Sequence, residues 1–285
     1  MKTDYNLDKY KCYPTIANKY KVLKQLNNGV FGTIYKCENI RTKELVAIKM
    51  ELADSLVKSL KNEARIYQYL STISGIPRLK WFGKFDDYTY LVMDLLGLSI
   101  TEFKCKHYYE IRLEQVLNIG IQMINIIKLV HEKDLLHRDI KPDNFMFDLN
   151  ESTNKIYLID FGLAKRYRYD CKHISENTIS SLIGTPTFVS LNIHNGCEPS
   201  RRDDIESCIY VLLYMLWSDF YWVNLNIDQI IQEKKDIFNT SSCVPMFIRN
   251  MLLYVRNMTF EEEPDYPFLI NVLKYELKYN NDNKH

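Results

Sequence analysis

The sequence predicts an α+β protein of two lobes, strand-rich in its N-terminal part and helical in its C-terminal part. Three observations carry this. The first hundred residues hold runs of β-branched and aromatic residues between turn signals. After Gly97 the apolar residues fall at helical spacing instead. The chain has 285 residues, 46% of them hydrophobic, enough to bury a large core as one domain or as two lobes around a cleft.

Residues 1–19 read as an N-terminal extension with a polar start. Strands are expected at Tyr20–Leu26, Thr33–Asn39, Leu45–Met50 and Tyr88–Met93. A helix over Ser55–Leu70 interrupts them, with Leu56, Leu60, Ile66, Tyr67 and Leu70 near one face. The lobe boundary falls near Asp94–Gly97, giving lobes over 20–94 and 95–279 and a frayed tail over 280–285. In the second lobe, Glu114–Lys133 is a long helix with Val116, Leu117, Ile119, Met123, Ile126, Ile127 and Val130 in period. Short strands follow near Asn144–Asp148 and Lys155–Ile159, then a loop-rich stretch to Ser200, then helices from Asp204 to Tyr279. The most apolar run, Cys208–Trp217, breaks at Ser218-Asp219, short of the ~20 residues of a membrane span, and reads as a core helix.

Composition excludes some classes. Lys+Arg is 37 against Asp+Glu 36, a formal net charge of +1, which argues against general nucleic-acid binding. Seven widely spaced cysteines without a C-x-x-C pair read as reduced thiols. The triplets Cys105-Lys106-His107 and Cys171-Lys172-His173 could in principle make a Cys₂His₂ zinc site. Their spacing is tighter than usual, and they read as loop residues. MKTDYNLDKYK has no apolar core, so no signal peptide is expected. The expectation is an intracellular monomer, cytoplasmic and/or nuclear, without membrane contact. The N-x-S/T triplets at Asn150, Asn239 and Asn257 are then incidental. Richness in Asn, Ile, Lys and Tyr fits an AT-rich genome, that of a large DNA virus or of a microbe.

Four motifs carry chemistry. Leu26-Asn27-Asn28-Gly29-Val30-Phe31-Gly32-Thr33-Ile34-Tyr35 places glycines in a turn between strands. Without a Cβ such a turn can approach phosphate oxygens; a plain hairpin has the same pattern. Val46-Ala47-Ile48-Lys49 ends an apolar strand on a lysine, either an edge residue in water or a phosphate-binding amine held by a carboxylate, for which Glu63 is the natural partner. His137-Arg138-Asp139-Ile140-Lys141-Pro142-Asp143-Asn144 offers Asp139 as proton acceptor, Lys141 to hold a transferring phosphoryl group and Asn144 as a Mg²⁺ ligand. Ile159-Asp160-Phe161-Gly162, sixteen residues after Asn144, delivers a second carboxylate suited to Mg²⁺.

In this order the four motifs resemble the eukaryotic protein kinase pattern of Gly-rich loop, VAIK, HRD…N and DFG. The resemblance narrows at Gly184-Thr185-Pro186, Ser190-Leu191-Asn192 and Glu198-Pro199-Ser200-Arg201-Arg202-Asp203-Asp204-Ile205-Glu206-Ser207. There the chain lacks an APE triplet and is similar to the casein kinase 1 family. Gly75-Ile76-Pro77, Val92–Gly97 and Pro264-Asp265-Tyr266 are similar too, and the likeness runs from about Tyr20 to Leu273.

The resemblance implies a bilobal kinase fold, ATP and Mg²⁺ as cofactors, and protein substrates with Ser/Thr acceptors. It implies Asp139 as catalytic base with Lys141, and Lys49 paired to Glu63 and the ATP phosphates. Leu26, Gly29, Gly32, Ile34 and Ala47 would line the nucleotide site, with Met93 behind adenine and Asp94, Leu95 and Leu96 as hinge. Asn144 and Asp160 would hold Mg²⁺, and Asp204 would brace the catalytic loop. Activity would not require phosphorylation of the Gly162–Ser190 segment, although Ser175, Thr178, Ser180, Ser181 and Thr185 lie in it.

The chain departs from the family in places. Asn27 replaces the first glycine of the loop; Asn tolerates positive φ, which would preserve the turn. Thr187 stands where the family has an anion-binding arginine, and no Lys or Arg occurs between Trp217 and Gln232, which puts primed-substrate recognition in doubt. Arg138, Lys165, Arg166 and Arg168 are either a substitute anion site or a solvated basic face. The alternatives are a pseudokinase scaffold, a kinase-fold enzyme for small molecules, and a structural or nucleic-acid-binding protein.

Overall fold

The computed structural model describes residues 15–29, 32–54, 59–107, 110–150, 153–239 and 244–282. Val30 and Phe31 of the glycine turn, Leu56 of the first helix, Cys12, Cys243, most of the extension and the last three residues of the tail lie outside these. The chain divides into two compact units, Met1–Ser71 with Pro77–Leu96, and Thr72–Ile76 with Gly97–His285.

The first unit is an antiparallel sheet of β1 (Thr15–Ile16), β2 (Tyr20–Gly29), β3 (Gly32–Asn39), β4 (Leu45–Leu52), β5 (Leu79–Phe85) and β6 (Tyr88–Asp94), in the order β1-β2-β3-β4-β6-β5. Period-two alternation on β4 sends Val46, Ile48 and Met50 into a core shared with Ile16, Tyr20, Cys37, Tyr90 and Val92. One helix, α1 (Ser59–Tyr69), packs on β5 and β6 and buries Leu60, Glu63, Ala64 and Tyr67; Ile66 is only half-buried. Strand β5 is absent from the sequence reading because Lys80, Gly83 and Lys84 interrupt its pattern. Gly83 belongs there: a Cβ would fall 2.6 Å from the Trp81 ring.

The second unit is built on α3 (Leu113–His131), packed against α5 (Arg201–Leu216) and α8 (Tyr266–Asp282). Gly120 lets α3 come close to both, since a Cβ would lie 2.8 Å from Leu212 and 3.0 Å from Leu273. By length and composition α3 could cross a membrane, but half of its apolar window is buried inside this unit, as in a core helix. α5 is buried on nearly every face, as the run Cys208–Trp217 suggested. Residues Thr72–Ile76 join this unit: Leu158 N–H donates to Gly75 O over 2.8 Å.

The smaller elements are α2 (Ile100–Lys106), β7 (Leu135–Leu136), β8 (Phe145–Phe147), β9 (Ile156–Leu158), β10 (Lys165–Arg166), β11 (Arg168–Tyr169), β12 (Lys172–His173), α4 (Leu191–His194), α6 (Ile227–Asp236) and α7 (Met246–Arg256). Hairpins β8–β9 and β11–β12 form, and β10 pairs with β7. α2 carries a start signal, a capping box. Ser99 accepts the Glu102 N–H at 3.1 Å, and Glu102 accepts the Ser99 N–H at 2.8 Å.

Candidate active site

In the first unit the β3–β4–β6 register sets Lys49 opposite Ile34 and Leu91. Its ammonium reaches Glu63 of α1 at 2.8 Å, and both side chains are buried. An unpaired lysine there would carry a large desolvation penalty, so the carboxylate is what keeps the charge tolerable. Ala47 lies opposite Met93, and Met93 also faces Leu79. Asp94 is pinned by Lys80 Nζ at 2.7 Å and by the Arg78 N–H at 2.9 Å. Leu95 and Leu96 follow as half-buried irregular chain.

The glycine turn differs from expectation at one point. Asn27 is extended strand paired with Ile34, next to a register shift, and is not among the residues with positive φ. No left-handed residue is required there, so replacing the first glycine leaves the hairpin intact. Gly29 and Gly32 form its last pair. Gly32 has φ +110, and a Cβ on it would come 2.3 Å from Met50 O, so the neighbouring strand alone demands glycine. Leu26 is exposed.

In the second unit the segment His137–Asn144 hangs from α5. Asp204 Oδ2 accepts the His137 N–H at 2.8 Å, and Oδ1 accepts the Arg138 N–H at 2.9 Å. His131 Nε2 meets Oδ2 at 3.0 Å, and its Nδ1 meets the Tyr266 hydroxyl at 2.7 Å. Burial alone would raise the Asp204 pKa; the His131 hydrogen bond and the charges around it hold it below the ordinary value. His137 Nδ1 accepts the Asp139 N–H at 3.3 Å, which leaves Nε2 to donate to Ile159 O at 3.0 Å. Arg138 takes φ +66, a conformation costing about 1 kcal/mol for a residue with a Cβ.

This frame presents Asp139. Lys141 Nζ donates to Oδ2 at 2.6 Å, and the Thr185 hydroxyl donates to Oδ1 at 2.7 Å. Asn144 Nδ2 donates to Asp139 O at 2.8 Å and lies 3.3 Å from Oδ2, so its own Oδ1 is the atom turned away. Ile159 N–H donates to Asn144 O at 2.9 Å, which sets Asp160 beside Asn144. Asp160 is left-handed, at φ 64 and ψ 73. The Asn144 amide oxygen and the Asp160 carboxylate are both hard-oxygen donors of the kind Mg²⁺ takes.

Hydrogen bonds join Asp139, Lys141 and Asn144, and the Ile159 N–H on Asn144 O places the Asp160 backbone next in line. Thr185, part of the Gly184-Thr185-Pro186 motif and one of the hydroxyls open to regulation in the sequence, is found on Asp139. The signal for Thr185 was the preceding Gly184, at φ +98, where a Cβ would fall 2.6 Å from Arg138 O.

The basic residues weighed as an anion site are engaged by the chain's own carboxylates. Lys165 bonds Glu198 at 2.8 Å, with Arg138 at 3.9 Å. Arg168 and Arg166 reach Asp134 at 2.5 and 3.5 Å. Cys105 and Cys171 are exposed, and among the described residues no three His, Cys, Asp or Glu side chains cluster to hold a metal.

The two motifs that narrowed the resemblance meet on α5. Asp203 Oδ1 accepts from the Ser190 hydroxyl at 2.5 Å and from Asn192 Nδ2 at 3.2 Å, and Oδ2 accepts the Ser200 N–H at 2.7 Å. Arg202 donates to Met258 O at 2.8 Å, and Glu206 takes the Tyr210 hydroxyl at 2.6 Å and Arg256 at 3.2 Å. These buried charges on α5 are therefore partnered.

The family profile described as Protein kinase domain matches residues 20–268, the greater part of the chain. With a strand-built first lobe, a helical second lobe and these motifs in place, the chain has the bilobal α+β kinase fold and belongs to the protein kinase family.

Proposed function

We propose that the chain is an active serine/threonine protein kinase of casein kinase 1 type, using Mg²⁺ and ATP. The observation that carries this is the Thr185 hydroxyl on Asp139 beside the Lys141 ammonium. An aliphatic hydroxyl is held at hydrogen-bond distance from the carboxylate, with a cation next to it. That is what abstraction of a serine or threonine proton requires.

Bound Mg·ATP supplies an electrophilic γ-phosphoryl group. Asp139 orients the acceptor hydroxyl and takes its proton as the oxygen attacks phosphorus and the bond to the ADP oxygen breaks. Lys141 places positive charge where the phosphoryl charge develops. Asn144 Oδ1 and Asp160 would hold the metal. In the first unit Lys49, paired with Glu63, would bind phosphate, and the β2–β3 hairpin with Gly29 and Gly32 would cover it. Met93 and Asp94–Leu96 would bound the adenine.

The casein kinase 1 assignment is supported by the joint binding of Ser190, Asn192 and Ser200 to Asp203, which gives a physical reason for both motifs together. Independence from activation-segment phosphorylation is supported by Asp134 and Glu198, which already satisfy the arginines and lysine a phosphate would engage. An intact catalytic set argues against a scaffold role. The test is transfer of labelled γ-phosphate to casein with phosphoamino-acid analysis. Label on phosphoserine or phosphothreonine, without prior phosphorylation of the kinase, supports the reading, and label on tyrosine contradicts it.

A further inference from the structure

Lys234 of α6 is a lysine with no solvent exposure. Its Nζ donates to Pro186 O at 3.0 Å and Val189 O at 2.6 Å, and lies 3.1 Å from His194 Nε2. The Tyr210 ring of α5 is 4.8 Å away. The charges acting on it are Glu206 of α5 and Arg256 of α7, and these pair with each other; Arg256 also donates to Lys234 O at 2.9 Å. Burying an amine among carbonyls and rings is expensive, and an apolar side chain would fill the volume at less cost. What the amine does is grip one turn.

That turn, Gly184–Val189, closes on itself through Phe188 and Val189 N–H groups donating to Thr185 O at 2.9 and 3.1 Å. On its near side Gly184 sits against Arg138 O. On its far side Lys234 holds Pro186 and Val189. Thr185 is fixed between these two anchors, with its hydroxyl on Asp139.

We propose that Lys234 is a positioning residue for the acceptor side of the site, holding the Gly184–Val189 turn by two carbonyls so that acceptor side chains meet Asp139 in register. This rests on the kinase reading above.

The imidazole makes the grip proton-dependent. As an ammonium, Lys234 can donate to both carbonyls and to His194 Nε2. As a neutral amine it keeps one N–H for each carbonyl but loses the charge that strengthens these bonds, and its lone pair accepts from His194 Nε2–H, which also lies 3.0 Å from Pro186 O. His194 Nδ1 is buried without a partner in either arrangement. Burial lowers the Lys234 pKa to about 7, and burial with the neighbouring Lys234 lowers His194 to about 4, so the exchange falls near neutral pH on the lysine.

The experiment uses the full chain with Mg·ATP, from about pH 6 to about pH 9. Transfer to casein is measured beside slow ATP hydrolysis, in which water is the acceptor. Lys234→Met is expected to lower the ratio of casein kcat/KM to hydrolysis about tenfold, chiefly through casein KM. In the wild type that ratio should fall as pH rises through neutrality. The wild-type profile needs no variant, so misfolding of Lys234→Met leaves it decisive. A flat wild-type ratio, or a folded variant with an unchanged ratio, overturns the proposal alone. Absence of casein transfer by the wild type overturns the kinase reading and the proposal with it.

Discussion

The Thr185 hydroxyl donates to Asp139 Oδ1 over 2.7 Å, although forty-six positions separate the two in sequence. The contact ties the turn after Gly184 to the candidate base and fixes one carboxylate oxygen, while Lys141 fixes the other. Thr185→Val should lower casein kcat/KM about tenfold, the worth of one orienting hydrogen bond of about 1–2 kcal/mol. Thr185→Ser should keep most of the activity. Steady-state kinetics on the two variants check this; full activity in Thr185→Val beside a loss in Thr185→Ser would mean that the methyl group matters and the hydroxyl does not.

Asp204 carries the catalytic segment. It is buried and accepts the His137 and Arg138 N–H groups as well as His131. Asp204→Asn removes the charge and turns an amide toward a donor. The expected loss is about 3 kcal/mol of stability, with kcat falling as Asp139 loses its frame. Urea denaturation followed beside activity checks it; a variant of unchanged stability would contradict the role.

Lys49 and Glu63 form a buried pair at 2.8 Å. Lys49→Met should reduce kcat/KM for ATP by about a hundredfold or more, the usual scale for losing a preorganised charge at a phosphate site. Glu63→Gln should weaken ATP use as well, by leaving the lysine without its carboxylate. Nucleotide titration with kinetics distinguishes the two effects, and unaltered ATP parameters in Lys49→Met would remove it from the phosphate site.

Stability should depend on pH through Lys234. Its folded pKa, about 7, lies below its ordinary value of 10.5, so between these values the unfolded chain binds more protons than the folded one. The contribution is therefore full above 10.5 and lost as pH falls toward about 7. From pH 7 to about 9.5 the wild type should gain denaturation midpoint relative to Lys234→Met. Parallel midpoints across that range would contradict the buried-amine environment.

What the sequence disclosed followed the reach of its signals. Asp139, Lys141 and Asn144 lie within one short segment, so their meeting was legible from spacing. Lys49 and Glu63 were legible because a buried lysine needs a carboxylate and the next helix offered one. Thr185 and Lys234 were not, since their partners lie far along the chain and only folding joins them. Strand β5 was hidden by Lys80, which pairs with Glu44 and Asp94, and by Gly83, which faces the Trp81 ring. Helix α2 is only seven residues long, too short for a clear apolar period, and its one local signal is the Ser99–Glu102 capping box. Asn27 misled because a glycine-loop pattern suggests a turn where the backbone is still strand.

The most direct test is γ-phosphate transfer from Mg·ATP to casein, with Asp139→Asn alongside. The account predicts incorporation on serine or threonine by the wild type, and loss of about two to four orders of magnitude in the variant while ATP binding is kept. Equal incorporation by both proteins, or binding of ATP without any transfer by the wild type, would contradict it.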